Sequence, residues 1–249
     1  MASSALRGLS HSLRLYYGDP SRLAAMRRLY AGFLGNGDLA FDIGAHVGDR
    51  TGTFRRLGAR VVALEPQPLP ARALRLIYGR DRGVTLVQAA AAERDGTVEM
   101  HVNTANPTVS TLSGRFLVEA QGAPGWEGQE WDRVIEVPAV TLDSLIVRYG
   151  RPRFIKIDVE GYEDRVLAGL SVAVPALSFE FTTIARDVAC RGLERIAALG
   201  PYRFDVALRE TQKLTLGSGN EIDAQAMAAH LRALPQEVNS GDVYARLTR

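Results

Sequence analysis

The chain has 249 residues, 46% of them hydrophobic and 23% charged, and its 30 basic against 28 acidic side chains leave a net charge of +2. That length suffices for one sizeable core, and the interspersed charges offer no general polyanion-binding surface, which argues against nucleic acid as a partner. A single cysteine, Cys190, excludes an intramolecular disulfide and a multi-cysteine zinc site and suits a reducing compartment. Cys190 falls in an amphipathic helical stretch and reads as a buried, inert thiol. The longest charge-free apolar run, Val166 to Phe179, is too short for a bilayer and is interrupted by Pro175, so no transmembrane anchor is expected. A cytoplasmic protein follows, with an organelle transit segment as the alternative for the basic N-terminus; the sequence leaves a homo-oligomer open.

Ala5, Leu6, Leu9, Leu13 and Tyr16 recur at helical spacing, and Asp19-Pro20 starts a second helix running to about Phe33. Residues 1–36 are therefore expected to form an N-terminal helical appendage. Its arginines, Arg7, Arg14, Arg22, Arg27 and Arg28, either touch an anionic surface or form a solvated face. From Leu39 on, short apolar runs alternate with amphipathic segments. Strands are expected at Leu39–Ile43, Arg60–Leu64, Val84–Gln88, Arg153–Asp158, Ala176–Phe179, Tyr202–Leu208 and Asp242–Arg246, the last two as an antiparallel edge pair. Helices are expected at about 51–57, 69–78, 142–149, 162–168 and 185–199. The fold class is α/β, a mostly parallel seven-stranded sheet with helices on both faces, filling one domain over residues 37–249. The interval 89–140 is too long for one crossover and reads as a substrate-binding insertion, with strands at Thr97–Val102 and Val134–Val140. There Trp126 and Trp131 either stack on a flat acceptor face or form the insertion's own small core, with Asn103, Asn106 and Ser110 as polar contacts.

The most informative segment is Phe41-Asp-Ile-Gly-Ala-His-Val-Gly48, which joins a buried strand to a helix and is followed by a second strand ending at Glu65. Glu65 lies 21 residues beyond Gly44, the position of a carboxylate that accepts hydrogen bonds from ribose hydroxyls. The turn reads Gly-x-x-x-Gly rather than the Gly-x-Gly-x-x-Gly that aims a helix at a pyrophosphate, so a ligand without phosphates fits better. S-adenosyl-L-methionine is such a ligand, its ribose meeting Glu65 and its ammonium meeting Asp42 directly or through water.

Further acids stand where later strands end. Asp158 and Glu160 follow the strand Phe154-Ile-Lys-Ile, on the edge that carries Gly44 and Glu65, and Asp158 is the candidate point where cofactor and acceptor meet. These two acids could help hold a divalent cation, but their spacing alone does not make a site, and no metal ligand is assigned. Glu163 reads as an acid favoured at a helix start. Glu180 interrupts an apolar run and is either the group that deprotonates an acceptor hydroxyl or a paired structural carboxylate. His46 is a candidate base or a shaping group of the methionine pocket.

Phe41-Asp-Ile-Gly-Ala-His-Val-Gly48, Leu64-Glu-Pro-Gln67, Thr141-Leu-Asp-Ser-Leu145, Phe154-Ile-Lys-Ile-Asp-Val-Glu-Gly161 and Leu177-Ser-Phe-Glu-Phe181 together resemble the FkbM family of S-adenosylmethionine-dependent methyltransferases. The resemblance implies a Rossmann-like class I methyltransferase fold and methylation of hydroxyls on sugars, glycans or polyketide-type small molecules. It implies cofactor contacts from Asp42, Gly44, Ala45, His46, Gly48, Thr51, Glu65 and Asp158, with Gln88 and Ala89 near adenine. Catalysis would fall to Asp158, Glu180 or His46. The Asn/Asp-Pro-Pro-aromatic segment of many amino-group methyltransferases is replaced by Asp158-Val-Glu-Gly, which favours oxygen as the acceptor atom. Two other readings stay open, a catalytically silent cofactor-binding module and a nicotinamide-dependent oxidoreductase.

Overall fold

The computed structural model describes residues 2–248. Two helices, α1 (Ala2–Tyr17) and α2 (Pro20–Tyr30), precede the strand-helix series β1 (Leu39–Ile43), α3 (Asp49–Arg56), β2 (Arg60–Leu64), α4 (Pro68–Tyr78) and β3 (Val84–Val87). The insertion follows with β4 (Ala90–Ala91), β5 (Gly96–Val102), α5 (Gly114–Ala120) and β6 (Arg133–Val140). The chain then resumes with α6 (Leu142–Tyr149), β7 (Phe154–Ile157), α7 (Glu163–Ala168), β8 (Ala176–Thr182), α8 (Arg186–Leu199), β9 (Tyr202–Leu208), α9 (Ala224–Ala233) and β10 (Ser240–Leu247).

Seven strands form one Rossmann-like sheet in the order β3-β2-β1-β7-β8-β10-β9, in which β10 runs antiparallel to both neighbours. The order reverses between β1 and β7, which opens a crevice at the carboxyl ends of those strands. Within the insertion the two expected strands, β5 and β6, pair antiparallel, and β4 extends them into a three-stranded sheet.

Strand alternation sorts the residues between two layers. Leu39, Phe41, Ile43, Ile155, Ile157, Leu177, Phe179 and Val243 face a core completed by Leu145 of α6, Val166 of α7, Leu193 of α8 and Leu231 of α9. The opposite face packs Ala40, Val61, Phe154 and Tyr244 against Met26 and Tyr30 of α2, Phe54 of α3 and Leu74 of α4. Tyr30 is fully buried and meets Phe54 edge-on at 4.8 Å, so α2 is built into the second layer of the core.

The Asp19 side chain accepts from the N–H groups of Ser21 and Arg22, with Pro20 in the first turn, as the sequence predicts. Helix α2 ends at Tyr30, three residues short of the predicted Phe33, because the chain turns there and still buries Phe33. Strand β8 outruns its predicted end by reaching Thr182, since β10 pairs with it along its whole length and sets Glu180 opposite Asp242. Two helices, α5 and α9, escaped the sequence reading. Both carry short polar caps, with Ser113 accepting from the N–H of Phe116 and Asp223 from that of Ala226. Both bury only a pair of residues, Phe116 with Ala120 and Met227 with Leu231, too few to stand out as a periodic stripe.

Candidate active site at the carboxyl edge of the sheet

Residues facing the α2–α3 layer change character toward the strand ends. Asp42 on β1, Lys156 on β7, Ser178 on β8 and Asp242 on β10 are all buried, and register pairs Asp42 with Lys156 and Lys156 with Ser178. Lys156 is fully buried, with its ammonium 2.7 Å from Asp242 and 3.1 Å from Asp158, which supplies the countercharge that burial demands.

The turn after β1 is shaped by contacts within the protein. Gly44 has φ +80°, and a Cβ there would collide with the backbone carbonyl of Asp158, so the glycine lets the ends of β1 and β7 touch. Gly48 has φ +85°, and a Cβ there would lie 2.6 Å from the side chains of Leu74 and Tyr78. The sequence reading gave both glycines to a ligand; in the structure Gly44 lines the cleft and Gly48 packs on α4.

A cleft lies above this turn. Gly44, Ala45, His46, Glu65, Ala89 and Asp158 line it, as expected from the sequence. Glu65 is 3% exposed, and its two oxygens accept from the N–H groups of His46 (3.0 Å) and Gln67 (2.8 Å). Burial pushes its carboxyl up to about 7, against the lowering effect of those two bonds. His46 adopts φ +47°, lies edge-on to Tyr16 at 5.9 Å, and is held neutral by burial, which brings its imidazole down to about 4.

Besides Gly48, three predicted contacts do not reach the cleft wall. Asp42 and Thr51 are buried behind the turn and bond each other at 2.5 Å, leaving Asp42 Oδ1 without a partner and its carboxyl pushed up to about 6 by burial. The Gln88 side chain is exposed and bonds the guanidinium of Arg75, so of the predicted adenine neighbours the structure brings Ala89 to the cleft and not Gln88.

A second cleft opens beyond the first, lined by Trp126, Glu180, Thr182 and Asn239. The two share Tyr16, Arg50, Thr108, Asp158 and Glu160. At this junction Asp158, Glu160 and Glu180 each bring one carboxylate oxygen within 4.8 Å of the others. Burial raises Asp158, but the adjacent Lys156 and Arg50 outweigh it and hold the carboxyl at about 2. Glu160 and Glu180 are pushed well above the usual range, first by burial and then by the negative charge of Asp158. Glu163 is structural: it opens α7 and accepts from the N–H groups of Val159 and Gly161.

Sequence reasoning missed Tyr16, Asp49 and Arg50. Arg50 is nine-tenths buried and faces Asp49 (3.3 Å), Asp158 (3.6 Å) and Glu210 (3.8 Å), while Arg22 reaches Asp49 at 2.8 Å. The signal was present in Asp49-Arg50, an ion pair directly after the glycine turn. In the insertion Trp126 and Trp131 both pack edge-on to Phe116, at 4.9 and 6.4 Å, and their N–H groups bond Asn239 and the Val109 carbonyl. They form the insertion's own core, although Trp126 also touches the second cleft. Asn103 bonds the N–H groups of Ala105 and Asn106 and Asn106 bonds Gln129, whereas Ser110 faces the first cleft.

The family model of the methyltransferase FkbM domain matches residues 42–223, which include Glu65, Asp158, Glu160 and Glu180. The chain belongs to this family. The FkbM methyltransferase of Methylobacillus flagellatus KT shares its fold, at 16% identity and a TM-score of 0.50, covering 85% of this chain and 44% of that one. This FkbM chain therefore spans less than half the length of that relative. An O-methyltransferase from Bacillus cereus, solved in complex with SAH, aligns over 97% of this chain and 90% of its own at 14% identity and a TM-score of 0.46. A precorrin-6y C5,15-methyltransferase from Geobacter metallireducens GS-15 aligns over 91% and 87% at 16% identity and a TM-score of 0.44. No curated protein sequence matches the chain. The family is one of methyltransferases, and the fold is one that solved methyltransferases share. Among the described residues of this FkbM domain, no helix is long and apolar enough to cross a membrane.

Proposed function

We propose that this FkbM domain transfers the methyl group of S-adenosyl-L-methionine to a hydroxyl oxygen of a sugar, glycan or polyketide-type acceptor. The observation that carries this reading is the junction of two clefts at Asp158 and Glu160. The first cleft takes the cofactor. Glu65 accepts the ribose hydroxyls with the lone pairs its two backbone bonds leave free, and Arg50 with Asp158 offers opposite charges to the methionine carboxylate and ammonium. The second cleft takes the acceptor.

When bound, the cofactor would supply an electrophilic sulfonium methyl group, to which the acceptor oxygen would bond as the carbon–sulfur bond breaks, leaving S-adenosylhomocysteine. Alignment of the two reactants supplies most of the rate, because the transfer is an in-line displacement. The hydroxyl proton goes to Glu180. His46 at about 4 and Asp158 at about 2 are weak bases, whereas Glu180 keeps a high proton affinity and its Oε2 has no partner. A bound sulfonium, by its positive charge, favours the ionised form of Glu180 in readiness for that step.

Calorimetric titration with S-adenosylhomocysteine and with NAD, followed by a mass-resolved search for a gain of one methyl group on hydroxylated glycan and polyketide acceptors, tests the assignment. Binding of S-adenosylhomocysteine alone, with transfer to at least one acceptor, is expected. Binding of NAD instead, or no transfer across the acceptor set, would overturn it.

A further inference from the structure

Helix α1 lies ahead of the residues that match the FkbM domain, yet it reaches the site. We propose that Tyr16, near the end of α1, packs its ring against the positively charged sulfonium of bound S-adenosyl-L-methionine, so that this chain holds the methyl donor more tightly than the neutral product. The inference rests on the methyl-transfer reading. For a methyl group to pass from the first cleft into the second, the sulfonium must lie where the two meet. Tyr16, Arg50, Thr108, Asp158 and Glu160 line both clefts, and of these five Tyr16 carries the aromatic ring. An aromatic face attracts a cation through its quadrupole, most strongly where water is excluded.

The helix is anchored so as to hold the ring in that place. In its middle, a Cβ at Gly8 would lie 2.6 Å from the Ala105 carbonyl oxygen and 2.8 Å from Pro107, so the glycine seats α1 directly on the insertion. At its end the Tyr17 hydroxyl donates to the Val47 carbonyl at 2.9 Å and ties the helix to the turn after β1. Helix α1 thereby roofs the first cleft from the insertion to the turn. The Tyr16 ring is fixed in its own right, edge-on to His46 at 5.9 Å and with the Arg22 guanidinium 5.0 Å from its centre. Burial raises the phenol above its ordinary value, so the ring is a neutral one. Positive charge nearby is compensated and does not oppose a sulfonium: Arg22 pairs with Asp49 and Glu210, and Arg50 with Asp49, Asp158 and Glu210. Loss of the methyl group leaves the sulfur neutral, which removes the attraction and favours release of S-adenosylhomocysteine.

The test needs no acceptor. The full-length wild-type chain, Tyr16→Phe and Tyr16→Leu are each titrated calorimetrically with S-adenosylmethionine and with S-adenosylhomocysteine, and circular dichroism melting checks that each variant is folded. Tyr16→Leu keeps apolar bulk without a π face, so it should bind S-adenosylmethionine about tenfold more weakly and S-adenosylhomocysteine within about twofold of wild type. Tyr16→Phe keeps the face and should keep the wild-type ratio of the two affinities. A second measurement uses the wild-type chain and does not depend on how the leucine variant folds. S-adenosylmethionine labelled with ¹³C at its methyl group should show nuclear Overhauser effects from that methyl to a tyrosine ring, and in Tyr16→Phe to a phenylalanine ring. Equal losses of both ligands in Tyr16→Leu, no loss of either, or no methyl-to-ring effect with the ligand bound would overturn the Tyr16 contact and leave the methyl-transfer reading standing. Failure of the wild-type chain to bind either compound would overturn that reading and the contact with it.

Discussion

Replacing Glu65 by Gln separates the two jobs of this side chain. In the folded protein its carboxyl is pushed up to about 7 by burial, from an ordinary value of 4.5. Between those values the folded state holds a proton that the unfolded state has released, so this residue's contribution to stability falls as pH rises from 4.5 to 7 and is constant above. The gap corresponds to about 3 kcal/mol. Glutamine does not titrate. It keeps one oxygen for one of the two backbone N–H groups and presents its amide nitrogen to the other, at a cost of about 1–3 kcal/mol. Urea denaturation should therefore find the variant less stable than wild type near pH 4.5 and equal or more stable near pH 8. For the cofactor, loss of a charged acceptor to ribose hydroxyls costs about 2 kcal/mol, a weakening of S-adenosylhomocysteine binding of about thirtyfold. The alanine variant is the poorer probe, because it strands both the His46 and Gln67 N–H groups in a buried turn. A stability difference that is the same at both pH values would refute the buried-carboxylate argument. Unchanged S-adenosylhomocysteine affinity would refute the ribose assignment.

Gly44→Ala should destabilise by about 3 kcal/mol or more in the same denaturation assay, since it combines a left-handed backbone with a collision against the Asp158 carbonyl; a loss under about 1 kcal/mol would mean the turn can relax. Lys156→Met leaves Asp158 and Asp242 without their shared buried cation and should cost about 3–5 kcal/mol of stability at neutral pH. A variant that melts at the wild-type temperature would show that those carboxylates find other partners. Phe116→Ala removes the ring on which both tryptophans pack, so limited proteolysis should cut within residues 103–131 while the main sheet stays intact. Protease resistance equal to wild type would show that the insertion is held by its hydrogen bonds instead.

Legibility in the sequence followed the range of each interaction. Strands β1, β2 and β9 have the bounds their sequences predict, because short, largely apolar runs buried on both faces are written locally. The end of β8 was not, since its last three residues are held by β10, which comes nearly sixty residues later. In the site, Glu65 and Asp158 were visible because a strand's end marks the ligand edge of a parallel sheet. For Arg50 the sequence shows only the adjacent Asp49, because its other partners, Asp158 and Glu210, are brought to it by tertiary packing. Asp42 shows the opposite error: its place in the motif suggested a ligand contact, but alternation along β1 turns the side chain behind the turn toward Thr51.

The polar stripe on one face of the sheet also bears on how the chain finds its register. Sliding β8 by a single residue would carry Ser178 and Glu180 into the layer of Leu145, Val166 and Leu193 and expose Phe179 to Lys156 and Asp242. An ionised carboxylate in that aliphatic layer has no partner and is strongly penalised. The residues that equip the site thereby act during folding as proofreaders, rejecting misaligned pairings that an all-apolar strand would tolerate.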